Sequence, residues 1–368
     1  MNFTPIRFEK NHNAAFYTEL KKRVNTYFKT NNISKHGNAN MVIKTLFMLT
    51  LYITPLVLNL TIVESNWQTI LMWTLMGFGM AGLGLSVMHD ANHGAYSSNK
   101  KVNQFVGYVI FLLGGSDVNW RIQHNILHHT YTNVSGIDED INPGAVMRFS
   151  PHEKRRSLHR FQHFYAWFFY GLMTLMWFLT KDYKQALRYR EKGLIETQQI
   201  RFGTHLAIII VSKLVFSFVM IALPIWLCPV SWWVSVLGFL LMEFIAGFTL
   251  GCIFQPAHVV PTSTYSVPDE SGNIQADWAV NQLFTTANFA PEAKFFSWFV
   301  GGLNFQVEHH LFPNICHVHY PKLSKIVEET AKEFNLPYHS NKTFIRALIE
   351  HGKMLRNLGR YDEAPAVH

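Results

Sequence analysis

Residues 69–93 read TILMWTLMGFGMAGLGLSVMHDANH: twenty positions without a charge, then two histidines four apart. A helix of twenty residues rises about 30 Å, the thickness of a bilayer's hydrocarbon core. Gly77, Gly79, Gly82 and Gly84 leave that helix bare enough for other helices to pack closely. Working outward, comparable apolar runs occupy 41–63, 205–227 and 230–253. The segment 161–179 is also apolar, but it follows Lys154, Arg155, Arg156 and Arg160 and carries Tyr165, Trp167 and Tyr170. Such a segment is expected to lie in the interface rather than to span.

The bulk composition agrees. Only 15% of the 368 residues are charged and 49% are hydrophobic, against roughly 25% charged in soluble domains. Disorder, a collagen-like fibre and a coiled coil are excluded. Cys228, Cys252 and Cys316 show no Cys-x-x-Cys spacing, which removes a disulfide scaffold and a thiolate metal site. The formal charge of +8 is distributed as membrane orientation dictates. The connections 59–68 and 223–234 carry no Lys or Arg. Apart from Lys44 and Lys213, every Lys and Arg falls before the first span, within 89–204, or after 253. The positive-inside rule places those three segments together on the cytoplasmic face. The expected organisation is an amphipathic amino-terminal segment (1–40), a four-span catalytic domain (41–320) and carboxy-terminal cytosolic helices (321–368). Phe16, Leu20, Val24 and Phe28 give the first segment a helical stripe suited to lying on a surface. The basic residues Arg155, Arg156, Arg160, Lys181, Lys184, Arg188, Arg190 and Lys192 fit anionic lipid headgroups first, with the phosphates of a ligand or an acidic partner protein as the alternatives.

Nineteen histidines need an explanation. HDANH supplies His89 and His93, HNILHH supplies His124, His128 and His129, QPAH supplies His258, and QVEHH supplies His309 and His310. All eight fall on the same predicted side. On an α-helix, residues four apart share a face, so each His-x-x-x-His pair aims at one point while His129 turns about 100° away. One such pair arises by chance about once in this composition, and His-x-x-x-His-His about 0.05 times. His159 and His163 form a further pair beside the basic run and read as interfacial, non-ligating residues. Imidazole suits Fe, Zn, Cu or Ni, and eight ligands are enough for two metals.

The three His boxes, HDANH, HNILHH and QVEHH, resemble in order and spacing those of the membrane fatty acid desaturases. Gln306 in the third box is typical of the front-end, acyl-lipid branch that includes linoleoyl-CoA desaturase-like enzymes. The resemblance runs from the first span to about Pro321. It implies an all-α integral membrane fold of four transmembrane helices under a cytosolic helical cap. The cap would hold two non-haem irons on His89, His93, His124, His128, His129, His258, His309 and His310, with O2 as co-substrate. The substrate would be a long-chain fatty acyl-CoA or acyl-lipid. The His-Pro-Gly-Gly motif of a fused cytochrome domain does not occur, so a separate ferredoxin- or cytochrome-type protein is expected to supply electrons.

Asp90, Asn92, Asn125, Gln306 and Glu308 are the candidates for steadying ligands from behind. Asp138, Glu139 and Asp140 are expected to serve the cap's structure rather than to bind iron. Lys213 and Glu243, both deep within spans, are expected to pair, or Glu243 to bond a polar group beneath the metal site. A membrane di-iron hydroxylase of alkane, carotenoid or sterol type is the nearest alternative. A metal transporter is less consistent, because the histidines lie outside the spans.

Overall fold

A computed structural model describes residues 3–9 and 14–362. The described chain is predominantly helical, with two short parallel strand pairs. Four helices are long and apolar enough to cross a membrane: Ala39–Thr61, Asn66–Asn92, Phe202–Leu227 and Trp232–His258. The stretch after Phe161 is not a fifth. It breaks at Leu172, between the helices Gln162–Gly171 and Met173–Met176, and is followed by a π-helical turn, Trp177–Lys181.

The residues separate into two compact units. One comprises residues 3, 38–122 and 167–251, the other 4–37, 123–166 and 252–362. The first unit holds most of the spanning helices. The Asn38 side chain caps the first span by accepting from the amides of Asn40 and Met41. At Gly79 a Cβ would lie 2.8 Å from the main-chain nitrogen of Tyr52, so only glycine lets the first two spans approach this closely. Val42, Ile43 and Leu46 on the first span, and Val211, Leu214 and Val215 on the third, remain exposed. Large apolar faces of this kind suit lipid, not water.

Lys213 does not pair with Glu243. Its ammonium meets Asp182 at 2.8 Å and donates to the carbonyls of Gly114 at 2.7 Å and Trp177 at 3.1 Å. Its three N–H donors are thereby used. Asp182 is steadied in turn by Trp177 Nε1 at 2.9 Å and Asn119 Nδ2 at 3.1 Å. The expected partner was sought inside the spans. The actual one sits at the start of the short helix Asp182–Glu191.

The second unit is built around the amino-terminal helix Ala14–Thr30. Phe16, Leu20, Val24 and Phe28 form the predicted stripe, but it packs into a protein core instead of lying on a membrane surface. Leu323, Val327 and Ala331 of helix Tyr320–Glu333 join it, with Leu283, Val307 and Leu311. Arg23 bridges this helix pair, with Glu19 at 2.9 Å and Glu333 at 2.6 Å. Strand Ala287–Phe289 pairs with His339–Asn341 in parallel register and leads toward the short helix Gln306–Leu311, which carries the third His box.

Candidate metal centre

Two of the His boxes lie at stretches where the helix loosens into π geometry, with bonds from residue i to i+5. The second span turns π-helical over Leu83–Met88 and continues through His89 to Asn92. The fourth span likewise runs on to include His258. His89 and His258 therefore stand on the extended ends of long apolar helices, not in loops after them. In the first unit His89 and His93 have ring centroids 4.7 Å apart, and the Trp120 ring lies 5.5 and 5.4 Å from them.

The second box occupies the π-helical stretch Arg121–His128. The His129 amide bonds the His124 carbonyl at 2.9 Å, an i to i+5 bond. In that wider turn, positions i+4 and i+5 straddle position i. His128 and His129 accordingly both face His124, with ring centroids 5.3 and 4.7 Å from it. The expected 100° divergence of His129 holds for an α-helix and not here. His124 and His129 approach through their Nε2 atoms at 3.2 Å.

Six of the eight histidines meet within the second unit. His128, His258 and His310 form a triangle with centroids 4.8, 4.9 and 4.7 Å apart. Their candidate ligand nitrogens all lie within 4.8 Å of one another, and all three side chains are buried. Three nitrogens bonded to one ion at about 2.1 Å stand about 3.4–3.6 Å apart, so the three rings would draw inward to complete a site. His129 lies against both members of the third box, 4.5 Å from His309 and 4.4 Å from His310.

The far side of each ring is tied down by groups from elsewhere in the same unit. His258 Nδ1 donates to the Thr285 carbonyl at 3.2 Å. A carbonyl only accepts, so Nδ1 carries the proton and Nε2 keeps its lone pair. That Nε2 atom is buried and has no hydrogen-bond partner among the described residues. A buried lone pair with that tautomer fits a metal ion. His310 Nδ1 donates to Gln282 Oε1 at 3.0 Å, and Thr132 lies 3.1 Å from the same nitrogen. His309 Nδ1 lies 3.2 Å from the Tyr320 hydroxyl.

His128 Nδ1 meets both carboxylate oxygens of Asp138, at 3.1 and 3.0 Å. Burial works to lower its pKa, but Asp138 and Asp140 outweigh that and lift it to about 9. Asp138 accepts from the Asn133 and Asp140 amides at 2.9 and 3.0 Å, so its direction is fixed. A carboxylate behind a ligating histidine sets its tautomer and raises its basicity.

The structure places the expected supporting residues unevenly. Asp90 lies 3.8 Å from His89 Nδ1, beyond hydrogen-bond range. Asn92 donates to the Met88 and Gly107 carbonyls and accepts from Arg121. Glu308 gives its two oxygens to Asn288 and Tyr338, and burial pushes its carboxyl up to about 7. Gln306 and Asn125 are buried and part-buried. The groups on the outer nitrogens are instead Asp138, Thr285, Gln282 and Tyr320, none of them named from the sequence as a support. Only Asp138, ten residues after His128, left a local trace. His159 accepts from the Arg156 amide at 3.1 Å and lies 3.0 Å from the Ala145 carbonyl, so main chain engages both its nitrogens.

The family model for fatty acid desaturases matches residues 65–342, about three-quarters of the chain. The chain is 34% identical over 369 residues to the sn-1 linoleoyl-lipid 6-desaturase of Synechocystis sp., covering 97% of this chain and 99% of that protein. It is 33% identical over 356 residues to the sn-1 linoleoyl-lipid 6-desaturase of Arthrospira platensis, covering 96% and 95%. With the acyl-lipid (8-3)-desaturase of Physcomitrium patens the identity is 36% over 351 residues, 94% of this chain and 72% of that one. The chain belongs to the fatty acid desaturase family, whose His boxes its structure sets on two spanning-helix ends, a π-helical turn and one short cap helix. It is an oxidoreductase of fatty acyl chains, and four of its described helices are long and apolar enough to cross a membrane.

Proposed function

We propose that the protein inserts a cis double bond into a long-chain acyl group carried on a membrane lipid, using two irons held by the eight histidines. His128, His258 and His310 would share one ion, and His89, His93, His124, His129 and His309 supply the remaining imidazoles. When bound, iron supplies the oxidising power that breaks unactivated C–H bonds with O2, which no acid, base or nucleophile can do. Each turnover takes one O2, two electrons and two protons, and yields the alkene and two waters. The chain's own part is to hold ligands. Asp138 keeps His128 basic and aimed, Thr285 sets the His258 tautomer, and Gln282 sets that of His310. The observation that carries the reading is the His258 Nε2 lone pair, buried beside His128 and His310.

The lipid carrier, rather than acyl-CoA, is favoured by the relatives from Arthrospira platensis and Synechocystis sp., both of them linoleoyl-lipid desaturases. The distribution of Lys and Arg supports a multi-pass orientation with the histidines on the cytoplasmic side, at the inner membrane in a bacterium. A separate one-electron carrier of ferredoxin or cytochrome type would supply the electrons.

The test is fatty acid methyl-ester profiling of a host lacking polyunsaturated lipids, fed linoleate and expressing the full chain. A new double bond in the lipid fraction is expected from wild type and from His163→Ala, and none from His128→Ala. A hydroxylated product, or desaturation retained in His128→Ala, would overturn the proposal.

A further inference from the structure

Two surfaces of the second unit are strongly basic, and they differ in kind. Around the helical turn Ser157–Phe161, the cations Lys154, Arg155, Arg156 and Arg160 are interleaved with Leu158, Phe161 and Phe164, which are 51, 54 and 71% exposed. Cations mixed with protruding aromatics suit a membrane interface.

The other surface lies where helix Ala14–Thr30 crosses the start of helix Tyr320–Glu333. The two run antiparallel, since Phe16 stacks edge-on to Phe334 and Phe28 to His319, with centroids 5.8 and 5.0 Å apart. At the Phe28 end, Lys29, Lys322 and Lys325 are exposed, with Lys35 half-buried beside them. The segments 24–37 and 309–327 hold four Lys and no Asp or Glu. Ile33, at 40%, is the one large apolar side chain in those segments that is strongly exposed. Glu19 and Glu333 lie toward the opposite end, where Arg23 pairs with both, and the exposed Glu328 and Glu329 follow Lys325 by one turn. This end is therefore electropositive and polar, which fits an acidic protein better than a lipid surface.

Beneath it runs a short path inward. Tyr320 is 1% exposed and two residues from Lys322, and its hydroxyl lies 3.2 Å from His309 Nδ1. Cys316 and His319 anchor the same corner to the main chain at Lys35 and His36. Tyr320 thus joins the helix that carries Lys322 and Lys325 to a candidate ligand.

We propose that this corner is the docking surface for an acidic one-electron carrier protein, whose electron reaches the site through Tyr320 and His309. The proposal rests on the desaturase reading above, whose turnover needs two electrons. The carrier is oxidised by one electron at each of two encounters, and O2 is the final acceptor, leaving as two waters. Lys29, Lys322 and Lys325 steer and hold the carrier; they touch no reacting group.

The test uses the full chain in nanodiscs of neutral phosphatidylcholine, with two probes in separate arms: an acidic plant-type [2Fe–2S] ferredoxin and the soluble haem domain of an acidic cytochrome. Surface plasmon resonance reads the affinity from low to high salt. The expected result is salt-sensitive binding of at least one probe, weakened at least tenfold by Lys29→Glu/Lys322→Glu/Lys325→Glu. The control Lys154→Glu/Arg156→Glu/Arg160→Glu should bind as wild type does. The proposal falls if wild type binds neither probe, if the triple variant binds unchanged, or if the control loses as much. It falls too if the triple variant changes only association with anionic lipid, because the surface then faces the membrane. A wild-type chain that makes no double bond in the host test sinks the underlying reading. A new double bond alongside unchanged carrier binding in the variant sinks the docking surface alone.

Discussion

Asp138→Asn is the sharpest perturbation of the site, because it keeps the shape and removes the charge. Asp138 is fully buried and serves four contacts: two to His128 Nδ1, at 3.1 and 3.0 Å, and one each from the amides of Asn133 and Asp140. An asparagine keeps one acceptor oxygen and turns the other corner into a donor, which must then face an N–H. His128 loses the charge that lifts it to about 9 against the effect of burial, and its free nitrogen becomes a poorer donor to a metal. Loss of such a support typically costs 10–100-fold in metal affinity, about 1.4–2.7 kcal/mol. Asp140 lies farther away, at 3.4 Å, and its side chain is 28% exposed. Asp140→Asn should therefore move the affinity by less than Asp138→Asn. The assay is iron retention in the detergent-purified protein during competition with a graded chelator, with the thermal midpoint recorded alongside. Equal retention by Asp138→Asn and wild type, or an equal loss in Asp140→Asn, would refute the reasoning.

Other consequences concern stability. Lys213→Met or Asp182→Asn alone strands one member of a buried 2.8 Å pair and should cost about 3–5 kcal/mol. Combining Lys213→Met with Asp182→Leu should recover much of that loss, and a single variant that melts like wild type would deny the pair its role. Gly79→Ala places a methyl 2.8 Å from the Tyr52 backbone nitrogen and should destabilise by about 1–3 kcal/mol, read as a lowered thermal midpoint. Burial holds His351 at about 4, with its Nδ1 2.8 Å from the Val259 carbonyl. Between the unfolded value near 6.5 and about 4, the unfolded chain takes up a proton that the folded chain refuses. Stability is thus fully present above about pH 6.5 and is lost as pH falls, by about 3 kcal/mol at pH 4. His351→Gln should flatten the melting-temperature profile over that window. An unchanged slope would count against the assignment.

The spans and the His boxes were legible because both are local: twenty apolar residues in a row, and imidazoles one, four or five positions apart. The stripe of Phe16, Leu20, Val24 and Phe28 was legible as a helix but not as to its partner, since a protein core and a membrane surface demand the same periodicity. His129 was misdirected because an i to i+5 turn leaves no mark in residue spacing. Thr285 acts through its carbonyl, which every residue type possesses, so nothing in its identity announces the bond to His258. Gln282 and Tyr320 come from other helices, and only folding brings them to His310 and His309. Asp182 is not legible as the partner of Lys213 because it lies outside the apolar runs, at the start of a neighbouring helix that only folding brings to the lysine.

The account stands most directly on a metal count. Inorganic analysis of the purified, anaerobically reconstituted chain should find two irons per polypeptide, and His258→Ala or His310→Ala should hold one or fewer. Two irons retained in those variants, or none in the wild type, would contradict it.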